Sequence, residues 1–423
     1  MAGMKVEPEL IELENGVRIA LDPMPGLETT ALGVYVRVGA RWERPEENGI
    51  AHLFEHMAFK GAGGRDATEF AEAIENVGGF VNASTSYERT TYTARVVKEQ
   101  AGFALGLLAD MMFEPHWDAE ELEKEKGVVA QERAEAFDQP DDRVFELHQS
   151  GVFKDQALGR PILGAAETVQ AVSVKDLRAF RDRHTTGSRL VISVAGGYNK
   201  RDILKIAEQR FGAVGATKKT SAPRAKAHAM GSAEARRTEQ AHVVLSCGGV
   251  AQSSEDGPSF WALSEILGGG MASRLFQEVR EKRGLVYAIN SWTESYEDVG
   301  RLGIYAGCSA KNAKEVANCV NDALEALAES GPTEAEMTRA KAIVSAQMLM
   351  GAEAPSARCD SRANQVFRKG RIIPYMEIKD KLLAVTAADV RKSAQVALKG
   401  PRAAAVIGPK AAHNAVRVFA PTA

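Results

Sequence analysis

The chain has 423 residues, 45% of them hydrophobic and 26% charged, with a formal net charge of −3. This is ordinary globular composition with no basic footprint for nucleic acid, and the length exceeds what one hydrophobic core usually serves, so two domains of roughly 200 residues are expected. No apolar run approaches the roughly 18 residues of a membrane span, since "GFALGLLADMMF" (102–113) is short and broken by Asp110.

The start, "MAGMKVEPELIELENG", is acidic and lacks an apolar run. Neither a secretory signal nor a transit sequence is expected from it, and the reading is cytoplasmic. "GVRIALDPM" and "TTALGVYVRVGAR" follow as strands joined by a turn. A helix beginning around Glu46 to Gly49 then carries "HLFEH" (52–56). "RDATEFAEAIENVGG" reads as a second helix, with Asp66 and Glu69 in a capping-box pattern and Gly78-Gly79 as the stop. "GFVNASTSYERTTYTARVV" (79–97) reads as a strand hairpin, "KEQAGFALGLLADMMFEP" as a helix closed by Pro115, and "DAEELEKEKGVVAQERAEAF" (118–137) as a long acidic helix. "RLVISVAGGY" returns to strand, and residues 213–238, rich in Ala, Gly, Ser and Lys, read as a linker. Its basic cluster "ATKKTSAPRAKAHA" (216–229) is read as solvated chain.

Beyond the linker the order of elements repeats. "FWALSEILGGG" (260–270) can be laid on "IAHLFEHMAFK" so that Glu265 falls on Glu55, while Ala262 and Ile266 fall on the two histidines. "TEAEMTRAKAIVSAQM" (333–348) falls on "DAEELEKEKGVVAQER", with Met337 on Leu122 and Gln347 on Glu132. The period is that of a duplicated domain, far too long for a solenoid. Cys247, Cys308, Cys319 and Cys359 include no CxxC pair and read as buried apolar residues in a reducing compartment.

In a helix, residues i, i+3 and i+4 share a face, so His52, Glu55 and His56 would point the same way. Two imidazoles one turn apart can grip a cation, but a catalytic zinc typically takes three protein ligands, and two ordinary histidines on a half-buried helix fit the spacing too. On the acidic helix Glu125 and Glu132 lie two turns apart and share a face; a glutamate on a charged helix is most often only solvated.

"HLFEH" with Glu132 at a distance resembles the inverted zinc motif, HxxEH, of the inverzincin peptidases. Together with "GIAHLFEHMAFKG", "GGFVNASTSYERTTY", "EKEKGVVAQE" and "LGGGMASRLFQEVREKRGLVYAI", it is similar to the pitrilysin (M16) family, in the M16B branch containing mitochondrial processing peptidase and its bacterial homologues. The resemblance covers nearly the whole chain. It implies an α+β fold of two homologous domains, each a mainly antiparallel mixed sheet flanked by helices (a LuxS/MPP-like metallohydrolase fold). The boundaries expected are 1–212 for the zinc-binding domain, 213–238 for the linker and 239–423 for a second domain without metal ligands. The activity implied is a zinc metalloendopeptidase that cuts unfolded or extended peptides.

Carried over residue by residue, the resemblance makes His52, His56 and Glu132 the ligands of one Zn²⁺ per chain, Glu55 the general base and Glu125 a partner of a ligand imidazole. Arg280 and Tyr287 match the family's Arg/Tyr pair, with Tyr287 donating to the developing oxyanion and Arg280 positioning substrate or tyrosine; a capping Arg and a core Tyr is the alternative. The strand at 80–86 would take the peptide as an added strand, with Asn82 and Ala83 in contact with it. Asp142 and Glu146 match two carboxylates that receive an arginine before the cut in processing peptidases, although Arg143 could neutralise either. A homodimer is the assembly expected, with peptide substrates as partners and no nucleic acid or membrane insertion. A noncatalytic structural subunit, like the core proteins of the respiratory bc1 complex, and a metal-storing or regulatory zinc protein are the alternatives; an intact ligand set with Glu55 argues against the first, and neither Glu55 nor the Arg/Tyr pair is needed by the second.

Overall fold

Over residues 7–216 and 221–420, which the computed structural model describes, the β-branched segments assemble into two sheets. The first comprises β1 (Glu9–Glu12), β2 (Arg18–Pro23), β3 (Thr29–Val36), β4 (Phe80–Thr85), β5 (Thr90–Val97) and β6 (Leu190–Gly196). Their order is β1-β2-β6-β3-β5-β4, antiparallel except for β2 with β6. Thus β2 and β3, joined by a turn in the chain, are not neighbours. β6, buried at every position and apolar except at Ser193, takes the place between them, as suits a fully covered central strand.

The second sheet comprises β7 (Met230–Ala235), β8 (Gln240–Gly248), β9 (Val286–Ser295), β10 (Gly300–Ser309) and β11 (Ala403–Gly408). Its order is β7-β11-β8-β10-β9, with only β7 and β11 parallel. Matching β7 to β2, β11 to β6, β8 to β3, β10 to β5 and β9 to β4 reproduces the order and directions of the first sheet. The fold is α+β and duplicated, each sheet mixed but mainly antiparallel and flanked by helices.

Five helices matter for the site: α1 (Ile50–Met57), α2 (Ala67–Glu75), α3 (Ala101–Phe113), α4 (Ala119–Asp138) and α5 (Pro140–Val152). The capping box of α2 forms, Asp66 Oδ1 accepting from the Glu69 amide at 2.8 Å and Glu69 Oε2 from the Asp66 amide at 3.0 Å. The first core gathers Leu53 and Met57 of α1, Leu105 and Leu108 of α3, and Leu122 and Val129 of α4. Leu122 and its repeat partner Met337 are both buried, each in its own core.

The chain divides into two compact units that are not contiguous in sequence. One holds the chain up to Glu132, Pro161–Pro223 and Met348–Ile373; the other holds Arg133–Arg160, Arg224–Gln347 and the chain from Pro374. This differs from unbroken domains over 1–212 and 239–423, because each half lends a helix to the other unit. The helix Pro355–Lys369 packs on the first sheet, where Cys359, Ala363 and Val366 meet Ala20, Ala31 and Val191. There Asp22, fully buried, accepts from Arg358 Nε at 2.9 Å and Arg362 Nε at 2.7 Å. A buried carboxylate needs such cations, and the first half does not supply them. Reciprocally, α5 packs on the second sheet, with Val144 against Val244, Ala405 and Ile407. The expected linker also contains β7, and its residues 217–220 lie outside the described residues, as do 1–6 and 421–423. All four cysteines are buried and unpaired, and no helix among the described residues is long and apolar enough to cross a membrane.

Candidate metal centre

The first turn of α1 is anchored by a carboxylate that holds no recognisable motif position. Glu43, buried, accepts from the amides of Gly49 and Ala51, each at 2.9 Å, and from Asn48 Nδ2 at 2.8 Å. A carboxylate on these otherwise unpaired N–H groups also complements the helix dipole. Gly49 enters the helix at φ 96°, and a Cβ there would stand 2.8 Å from the Gly164 Cα, so only glycine suits the position.

From this helix His52 and His56 project side by side, their ring centroids 4.6 Å apart. α4 brings Glu132 to them: its Oε2 lies 3.8 Å from His52 Nε2 and 3.5 Å from His56 Nε2. Donor atoms of the three residues all lie within 4.8 Å of one another. Three tetrahedral ligands at about 2.0–2.2 Å from one zinc stand roughly 3.3–3.6 Å apart, so the group fits that ion with small side-chain adjustments. Burial, and then the neighbouring His56, push the His52 pKa down to about 4, which leaves its imidazole neutral as a ligand must be. Its Nδ1 is buried with no hydrogen-bond partner among the described residues.

His56 is held differently. Its Nδ1 donates to Glu125 Oε2 at 2.9 Å, which leaves Nε2 as the ring atom that can face an ion. Glu125 is buried on α4 two turns before Glu132, and its other oxygen, Oε1, takes the Lys60 ammonium at 2.6 Å. Glu55 accepts at Oε2 from Thr85 Oγ1 at 2.5 Å. Burial raises its pKa above the usual carboxylate range, against the lowering effect of the Thr85 hydroxyl and the His56 charge. The cluster can therefore hold a divalent cation with a carboxylate beside it.

Asn82 and Ala83 lie on β4, which pairs only with β5 and is an edge strand among the described residues. Val81 and Ala83 pack on the core, while Asn82 is exposed on the opposite face with Phe80. The remaining sequence candidates belong to the second unit. Arg280 is exposed on a π-helical turn, Phe276–Lys282, its guanidinium 4.7 Å from the Phe276 ring centroid. Tyr287, on the edge strand β9, is 64% exposed and so is no core tyrosine. Asp142 and Glu146 lie on α5 rather than in a loop around Pro140, and Arg143 Nη1 pairs with Glu146 Oε2 at 2.9 Å. Sequence reasoning overlooked Glu43, Lys60 and Thr85. Lys60 and Thr85 both fall inside stretches singled out by the motif, but their roles depend on where a turn and a strand end lead them.

Two family models match the chain: "Insulinase (Peptidase family M16)" over residues 18–166 and "Peptidase M16 inactive domain" over 171–344. The second match includes Ala262 and Ile266, which stand where the two histidines stand in the first half. A protein of Bacillus subtilis named "Uncharacterized zinc protease YmxG" is 36% identical, covering 94% of this chain and 97% of its own. One of Rickettsia felis named "Uncharacterized zinc protease" is 34% identical, covering 96% and 98%. Among solved structures, a protease from Helicobacter pylori superposes with a TM-score of 0.87 at 22% identity, covering 95% of this chain and 99% of that one. In sequence as in fold, the chain belongs to peptidase family M16.

Proposed function

We propose that the protein is a zinc-dependent metalloendopeptidase of the branch that contains mitochondrial processing peptidase, cutting extended peptides. The observation that carries the reading is the convergence of His52, His56 and Glu132 with Glu55 on the same helix and Thr85 of an edge strand beside it. A bound zinc, held by His52, His56 and Glu132, would supply Lewis acidity, polarising the scissile carbonyl and making a water acidic near neutral pH. Glu55 takes the proton of the attacking water and returns it to the leaving amine, its Oε2 oriented by the Thr85 hydroxyl. Glu125 keeps the His56 ring in one tautomer.

Substrate enters as a strand along the free edge of β4, with its backbone paired by main-chain groups and Asn82, which makes an unfolded segment the substrate. Tyr287 donates to the developing oxyanion and Arg280 orients substrate or tyrosine, in a homodimer where the pair can act across subunits. Asp142 and Glu146, one turn apart on α5, receive a basic side chain just before the cut.

Glu55→Gln tests the reading. The variant should keep about one zinc per chain while peptide turnover falls on the order of 10²–10⁴-fold, the usual worth of a general base. His52→Ala and Glu132→Ala should lose the metal instead. Wild-type hydrolysis by Glu55→Gln would exclude this mechanism.

A further inference from the structure

We infer that Lys60 is a positioning residue of the metal centre: through Glu125 it fixes the His56 ring with Nε2 presented to the ion. The inference rests on the metal-centre reading above and extends it to a residue that touches neither ligand nor substrate. Both oxygens of Glu125 are committed, Oε1 to the Lys60 ammonium at 2.6 Å and Oε2 to His56 Nδ1 at 2.9 Å. The carboxylate is 6% exposed, so water cannot replace the ammonium as its counter-charge.

Local backbone geometry aims Lys60 at this carboxylate. α1 ends at Met57, the Lys60 amide then donates to the Met57 carbonyl at 3.1 Å, and Gly61 turns the chain at φ 105°. A Cβ at Gly61 would lie 2.7 Å from the Arg65 carbonyl oxygen, so the turn is one that glycine alone makes comfortably. The two ligand histidines differ in just this respect: His52 Nδ1 has no partner among the described residues, whereas His56 has a two-residue brace.

The second copy supplies an internal control. Laying 260–270 on 50–60 puts Ile266 on His56 and Gly270 on Lys60, and laying Met337 on Leu122 puts Ala340 on Glu125. Ile266, Gly270 and Ala340 line one small cavity of about 60 Å³ in the second unit, so the three positions are grouped there too. Where the ligands are gone, the imidazole, the carboxylate and the ammonium are gone together.

The experiment measures zinc affinity of the full chain by competition with a chromophoric chelator. Lys60→Met should weaken zinc binding about three- to tenfold, less than the ten- to hundredfold range for a direct partner of a ligand histidine because it acts one residue further out, and Lys60→Arg should restore it to within about twofold. In a Glu125→Gln background, Lys60→Met should change affinity by less than about twofold, because the residue it acts through is already neutral. Should Lys60→Met fail to fold, Lys60→Gln takes its place in both backgrounds. Zinc affinity within about twofold of wild type in the lysine variant, or an equal loss with and without Glu125→Gln, overturns the inference. A wild-type chain that binds no zinc overturns the metal-centre reading itself, and this inference with it.

Discussion

The buried His148 on α5 makes the stability of the second unit depend on pH in a calculable way. Arg301 Nη1, which can only donate, lies 3.0 Å from His148 Nδ1, and His148 Nε2 lies 2.9 Å from Ser246 Oγ. The ring is therefore neutral, with its proton on Nε2 and donated to the serine. Burial, and then the Arg301 charge, hold its pKa well below the ordinary 6.5. Arg301 is in turn held by Glu294 and Gln149, so the guanidinium cannot swing away to admit a second positive charge.

The unfolded chain takes up a proton near pH 6.5 that the folded chain refuses, so this group favours the folded state above that pH. Its contribution is lost as the pH falls, by up to 1.36 kcal/mol per unit, or at most about 2 kcal/mol between pH 7 and pH 5. His148→Gln removes the titration, although it costs about 1 kcal/mol at pH 7 through the bond to Ser246. Urea unfolding would be followed by tryptophan emission with Trp42 and Trp117, both in the first unit, replaced by phenylalanine, leaving Trp261 and Trp292 of the second. From pH 7 to pH 5 the wild type should lose up to about 2 kcal/mol more than His148→Gln, since every other titrating group is common to both. Equal losses would refute the assignment of a neutral, proton-refusing His148.

Thr85→Val removes the donor to Glu55 and should lower kcat about tenfold, near the low end for a hydrogen bond to a charged group because Glu55 is partly exposed, while zinc content and KM stay unchanged and Thr85→Ser retains activity. Wild-type kcat in the valine variant would remove Thr85 from the mechanism. Mixing inactive Glu55→Gln with inactive Tyr287→Phe chains should recover part of the activity if the tyrosine acts across a dimer; after verified subunit exchange, no recovery would put its action within one chain. Peptide libraries should reveal a preference for Arg, then Lys, over Ala two residues before the cut. The double change Asp142→Asn, Glu146→Gln should erase it with zinc intact, and a library cut without basic preference would leave these carboxylates as surface charge.

Local pattern by itself determined a good deal. The i, i+4 spacing of His52 and His56 and the two-turn spacing of Glu125 and Glu132 each needed only a helix to become one face, and both segments are helices. The duplication was legible because apolar positions such as Leu122 and Met337 serve the same packing role in each copy. Which strand lies between β2 and β3 was not, because a pairing partner more than 150 residues away leaves no mark on either sequence beyond the mostly apolar run of β6. Nor was the exchange of helices, which follows from the need of Asp22 for the cations of Arg358 and Arg362, far along the chain. At the site itself, the ligands came from a motif, but their support did not. Glu43, Lys60 and Thr85 act through the ends of elements, where a turn or a strand terminus sets direction, and the directions of such ends are fixed only when the pieces are packed.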